Sequence, residues 1–151
     1  MYADLHLHTN FSDGTFTPEE LAEHGQRVGL SAMALTDHDT VDGCARMAIA
    51  CGEHGIEFVA GCEFTVEHDG NELHLLGYFL DLENDRLRGE LAKYQKVRRN
   101  RIHEMVEKLN ELGVAITSGD VMKIANCDSP GRPHIGRALV ALGHCGSLDE
   151  S

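Results

Sequence analysis

The sequence predicts an α/β fold, a mostly parallel sheet that opens a β/α barrel and gives way to a helical region. Three observations carry this. Strand-like and helix-like stretches alternate in the first half as β-α-β-α-β-β. Beyond about residue 85 the periodic stretches are helical. Residues of metal-ligand type fall at or near one end of successive strands, where parallel α/β folds carry their working groups. A chain of 151 residues has room for one ordinary domain. Three or four strands can begin a barrel but cannot close one.

Ala3–His8 reads as a strand, with Leu5 and Leu7 on one side and Asp4, His6 and His8 on the other. After the polar loop 9–16, Thr17-Pro18-Glu19-Glu20 signals a helix start, with Thr17 as N-cap, Pro18 at N1 and Glu20 closing a capping box; Gly29 ends it. Leu30–Thr36 is the second strand. Asp42–His54 is a helix whose apolar side is Ala45, Ala48 and Cys51, and Ile56–Val66 is the third strand. Asp69-Gly70 is a hairpin signal, so Glu72–Leu80 pairs antiparallel with that strand. From Asp85 to Leu112 one long helix is expected, with Leu91, Tyr94, Ile102, Met105, Leu109 and Leu112 as its apolar stripe. A short helix at Asp120–Ala125 and a last one at Pro133–Leu142 follow.

Composition narrows the classes of function. Twenty-five acids against 13 bases give a net charge of −12, which disfavours a generic nucleic-acid coat or a binder of anionic membranes. No apolar run approaches the ~18 residues of a membrane span. The first residues lack the pattern of a signal peptide. Five cysteines with no CxxC argue against a disulfide framework or a zinc ribbon and suit a reducing cytoplasm. Ten histidines beside 25 carboxylates point to metal chemistry where their spacing fits it.

The spacing is suggestive. His6 and His8 are i and i+2 on a strand, so both imidazoles can reach one ion. Alone, such a pair is more often two ordinary histidines. Here Asp13 follows in a turn that Gly14 permits, His38 ends the second strand, Glu63 lies late in the third, and His74 sits in the strand after the hairpin. Asp37 and Asp39 flank His38 and point away from it, which suits loop bracing. Cys62 is expected to be buried and inert. His24, His54, His68, His103 and His144 lack this context and read as exposed or capping residues.

These residues resemble the motifs of the PHP (polymerase and histidinol phosphatase) phosphoesterases. The match runs through Asp4-Leu5-His6-Leu7-His8-Thr9, Phe11-Ser12-Asp13-Gly14, Leu35-Thr36-Asp37-His38-Asp39-Thr40, Gly61-Cys62-Glu63 and His74-Leu75-Leu76-Gly77-Tyr78. The helical insertion and Gly131-Arg132-Pro133-His134-Ile135-Gly136-Arg137 bring it nearest the stand-alone members acting on nucleotides or RNA ends. The resemblance implies a distorted seven-stranded β/α barrel with a helical insertion and up to three divalent ions, Mn, Zn or Fe. His6 and His8 would hold the first ion, Glu63 would bridge the first and second, His74 would hold the second, and Asp13 and His38 the third. A metal-bound hydroxide would be the nucleophile, with no catalytic side chain. The family's later His and Asp-x-His motifs are not in these residues. The chain therefore reads as an amino-terminal portion: barrel at 1–84, helical insertion at 85–151. Its expected partners are the missing carboxy-terminal half or a second copy of itself.

Four residues are candidates for substrate phosphate. Arg98 falls on the apolar stripe between Tyr94 and Ile102 and needs a buried partner, either a phosphate or a carboxylate of this domain. Arg132 and His134 stand at a helix start, whose free N–H groups suit an anion, and Arg137 lies a turn further on. The expected activity is metal-dependent hydrolysis of a phosphate ester, on a 3′,5′-bisphosphorylated nucleotide or at a nucleic-acid end. Its rivals are an inactive metal-binding or interaction module and a mononuclear zinc amidohydrolase.

Overall fold

The computed structural model describes residues 2–151. Its elements are β1 (Tyr2–Leu7), α1 (Pro18–Arg27), β2 (Leu30–Leu35), α2 (Cys44–Glu53), β3 (Glu57–His68), β4 (Asn71–Tyr78), α3 (Asp85–Glu111), α4 (Ser118–Ala125) and α5 (Arg132–Ala141), then a 3₁₀ turn, Leu148–Glu150. The four strands form one sheet in the order β1-β2-β3-β4. The first two pairings are parallel and the third antiparallel. β3 serves two partners along its length. Glu57–Ala60 pair with β2, and Gly61–His68 pair with β4. Gly61 sits at the changeover, where a Cβ would lie 2.9 Å from the Gly77 carbonyl oxygen and 3.0 Å from that of Leu35. β1 and β4 are the outer strands, yet the Tyr78 hydroxyl donates to the Leu5 carbonyl at 2.9 Å. The sheet is thus curled into a half-barrel. The seven strands that the family resemblance implies are represented here by four.

Two apolar cores form, the first of them against this sheet. α1 and α2 cover its outer face, burying Leu21, Ala22, Met47 and Cys51 against Met33, Leu35 and Ile56. The second core, Ile102, Val106, Ile116, Val121, Ala138 and Leu139, joins the later turns of α3 to α4 and α5. α3 enters both, through Leu91 in the first and Ile102 in the second.

Two apolar stripes differ from the sequence reading. In α2 the buried residues are Cys44, Met47, Ala50 and Cys51, while Ala45 and Ala48 face out. The helix starts at Cys44 because Asp42 is bound back to Thr40: the Thr40 hydroxyl donates to its carboxylate at 2.9 Å. In α3 the buried set is Leu91, Ile102 and Val106, whereas Tyr94 is 40% and Leu112 80% exposed. Val106, four residues after Ile102 and three before Leu109, fits the same stepping; the sequence reading took its neighbour Met105, which packs only at the edge of that core. α4 begins two residues early because Thr117 and Asp120 close a reciprocal capping box. Among the described residues no helix is long and apolar enough to cross a membrane.

Candidate metal centre

The inner curve of the half-barrel gathers the six expected ligand-type residues. Glu63 stands at their centre. Its Oε2 lies 2.9 Å from His6 Nε2 and 2.9 Å from His8 Nε2, and its Oε1 lies 2.7 Å from His74 Nδ1. His38 Nδ1 is 3.6 Å from the same Oε2, too far for a hydrogen bond. Asp13 faces the other side of the two rings, 3.3 Å from His8 Nδ1 and 3.6 Å from His38 Nε2. Three triads have ligand atoms close enough to share an ion: His6–His8–Glu63, His8–Asp13–His38 and His38–Glu63–His74.

Local structure explains the gathering. Strand alternation aligns His6 with His8, which lies just past the end of β1. Glu63 is fixed in the main chain, its N–H donating to Asp37 O at 3.2 Å and its carbonyl accepting from Asp39 N at 3.0 Å. The Asp13 loop is pinned by Asp37, which accepts from Thr9 N (2.7 Å), Thr9 Oγ1 (2.5 Å) and Ser12 Oγ (2.6 Å). Gly14 is required there, because a Cβ would sit 2.4 Å from the His8 carbonyl oxygen. Asp39, in the left-handed region at φ 50°, accepts from Thr65 N and Oγ1 at 2.9 and 2.8 Å and from Arg98 Nε at 2.5 Å. Both flanking aspartates therefore brace loops, as their alternation suggested. Asp4 accepts from the His6 backbone N–H and does not touch its ring.

The electrostatics favour cations. Burial alone would raise the Glu63 carboxyl, but hydrogen bonds from His6 and His74 and the charge of His8 hold it below its ordinary range. Burial likewise opposes ionisation of Asp13, and the hydrogen bond and charge of His8 overcome it. Burial and the Arg98 charge push His38 down to about 4, so its ring is neutral at pH 7 and keeps its lone pair. His38 Nδ1 is buried with no hydrogen-bond partner. Such an orphaned acceptor among mixed imidazole and carboxylate donors fits a divalent transition ion.

A groove of about 720 Å³ opens beside the cluster, bounded by Asp13, His38 and His74 at one end and by Met105, Leu109 and Leu139 further along α3 and α5. Arg98, Arg101, Lys108 and Arg132 line it. The phosphate candidates divide. Arg132 is exposed on the groove wall. Arg98 also lines the groove, but its Nε and Nη2 are engaged by Asp39 and Thr65, so the buried partner that the sequence demanded is a carboxylate of this chain. His134 is 1% exposed and its Nδ1 accepts from Gly131 N, capping its own helix. Arg137 donates from Nη2 to the Asp13 carbonyl at 2.7 Å. Neither His134 nor Arg137 reaches the groove wall, because the buried face of α5 carries them toward the barrel loops. Sequence reasoning passed over Glu72, which is i−2 to His74 and so shares its face. Its carboxylate takes Arg101 Nη1 at 2.7 Å and lies 3.6 Å from His74 Nε2, beside that ring but beyond hydrogen-bond range.

A curled α/β half-barrel carrying a His/Asp/Glu cluster of metal-ligand type defines the class. The PHP domain family matches residues 4–121, and the chain belongs to that family. Among its relatives, a 5′-3′ exoribonuclease of Haemophilus influenzae is 31% identical over 140 residues, 93% of this chain and 51% of that protein. A 3′,5′-nucleoside bisphosphate phosphatase of Chromobacterium violaceum is 33% identical over 143 residues, 93% of this chain and 50% of that protein. Among solved structures, a Bifidobacterium adolescentis protein classed as a metal-dependent phosphoesterase superposes with a TM-score of 0.88 at 34% identity, covering 97% of this chain and 52% of that one. The chain spans about half the length of the curated relatives it matches.

Proposed function

We propose that this chain carries the amino-terminal part of a metal-dependent phosphoesterase active on nucleotide-like substrates, either a nucleoside 3′,5′-bisphosphate or a phosphorylated nucleic-acid end. One observation carries the reading: a single carboxylate, Glu63, is ringed by four imidazoles at 2.7–3.6 Å, and the ring opens into a groove with cationic walls. Divalent ions held by these residues would neutralise phosphate charge and bring a water's pKa toward neutrality. The protein's own part is positional. Glu63, with two oxygens, can serve two ions, and each imidazole offers one lone pair. Neutral His38 accepts an ion without first losing a proton. Exposed Arg132, at a helix start, supports a second phosphate, and the apolar stretch at Met105 and Leu109 supports a base. Three overlapping triads favour this reading over a mononuclear amidohydrolase.

The test is Mn²⁺-dependent phosphate release from a nucleoside 3′,5′-bisphosphate and from a 5′-phosphorylated RNA oligomer, with the carboxy-terminal half of the Chromobacterium relative supplied in trans or fused. Arg132→Ala should weaken turnover of substrates with a second phosphate by roughly 1.5–3 kcal/mol, the worth of a charge-assisted contact, and spare a monophosphate. Absence of hydrolysis in every reconstituted form, with ions shown bound, would favour the interaction module.

A further inference from the structure

The insertion touches the ligand loops by specific hydrogen bonds to their backbone. Two such bonds end on members of the His8–Asp13–His38 triad, and two more on residues next to them. Arg137 Nη2, in α5, donates to the carbonyl of Asp13. The Ser129 hydroxyl, fully buried in the loop before α5, donates to the carbonyl of His38. Cys127 Sγ reaches the Ser12 carbonyl at 3.3 Å. The next carbonyl after His38, that of Asp39, accepts from Gln95 Nε2 of α3 at 3.2 Å. The partners of the His6–His8–Glu63 triad come from within the sheet and its own loops. Asp13 and His38 thus sit on a seam between barrel and insertion, while Glu63 sits inside the barrel.

We infer that Arg137 and Ser129 are positioning residues that hold Asp13 and His38 in register, so that the packing of the insertion sets the affinity of the His8–Asp13–His38 position and leaves the His6–His8–Glu63 position alone. The inference rests on the metal-binding reading of the cluster. Its physical basis is leverage. The loop's own bond from Gly14 N to Thr9 O holds one edge of the Asp13–Gly14 peptide, and Arg137 holds the other from outside through the Asp13 carbonyl. The carboxylate that must meet His8 at 3.3 Å and His38 at 3.6 Å takes its place from that anchor. Outer partners of this kind change metal affinity by roughly 10–100-fold when removed.

The experiment measures Mn²⁺ alone binding to the chain, by calorimetry and by the loss of the free-ion paramagnetic resonance signal. Asp13→Asn first identifies which binding step belongs to the seam position. Arg137→Met and Ser129→Ala should then weaken that step by roughly tenfold or more and leave the His6–His8–Glu63 step, identified by His6→Gln, unchanged. Arg137→Lys, which keeps a cationic donor, should recover most of the loss. Circular dichroism and melting check that each variant is folded, and Ser129→Ala, the smaller change, stands if Arg137→Met is not. Equal weakening of all steps, or none in folded variants, overturns the inference while the metal reading survives. A wild-type chain that binds no Mn²⁺ overturns both.

Discussion

Replacing Arg98 by methionine tests whether this arginine braces the fold. The Arg98–Asp39 pair is withdrawn from water, with side chains 14% and 1% exposed and Nε 2.5 Å from Oδ2. Unit charges with centres about 4 Å apart attract by about 4 kcal/mol at an effective dielectric near 20. Breaking such a pair by removing one partner typically costs about 3–5 kcal/mol, because the other charge stays buried. Asp39 keeps two hydrogen bonds from Thr65, which limits the damage. The expected loss is therefore about 3 kcal/mol, a large part of the ~5–15 kcal/mol of an ordinary domain. Urea unfolding reads it directly. Adding Asp39→Asn to Arg98→Met should return part of the loss, since no unpaired charge then remains. A loss under about 1 kcal/mol would show that Arg98 is dispensable to the fold and available to phosphate, and a large loss with no recovery in the double variant would show that the cost is not the unpaired Asp39 charge.

Other outcomes follow from the same geometry. Glu63→Gln should remove Mn²⁺ binding at both positions that share this carboxylate and spare the one at Asp13, as read by titration of bound ion. His38 has a folded pKa of about 4 against an ordinary 6.5. The unfolded chain therefore binds the extra proton between those values, and metal-free stability should fall as pH drops through that window. His38→Gln should flatten the fall in denaturation curves taken at pH 4.5 and 7. Gly14→Ala places a Cβ 2.4 Å from a backbone oxygen, so the loop must shift. It should lower the melting temperature, at a cost of about 1–3 kcal/mol, and weaken Mn²⁺ at the Asp13 position.

Much of this arrangement was legible because it is periodic. Alternation along β1 aligned His6 with His8, and the same rule turned Asp37 and Asp39 toward their loops. Glycines after a helical run and the Asp69-Gly70 turn located the elements to within a few residues. What was not legible depends on long-range contacts. Ser129 and Arg137 meet carbonyls 91 and 124 residues away, and no local pattern encodes such a meeting. Arg98 was readable as inward-facing, but which of two anions it met was not. The α2 start was misplaced because Asp42, a good helix opener by type, is held in a turn by Thr40. His134 and Arg137 fit a phosphate-binding motif by type, yet α5 turns both toward the barrel loops.

The division of β3 between two partners has a consequence for how the chain can vary. Glu63 belongs to the hairpin portion, opposite Leu76, and His74 lies opposite Thr65, so the carboxylate and the imidazole meet diagonally across two strands. Their spacing is a count of residues around the turn at Asp69 (φ 51°) and Gly70 (φ 75°). A single inserted residue in that exposed turn, some five positions from the nearest ligand, would swing His74 to the outer face of the sheet and bring Leu73 or Leu75 inward. The hairpin would still form, but its inner face would have traded an imidazole for a leucine. The tip of this loop, which touches no ligand, therefore acts as a ruler for the centre, and length variation there should be tolerated only in steps of two.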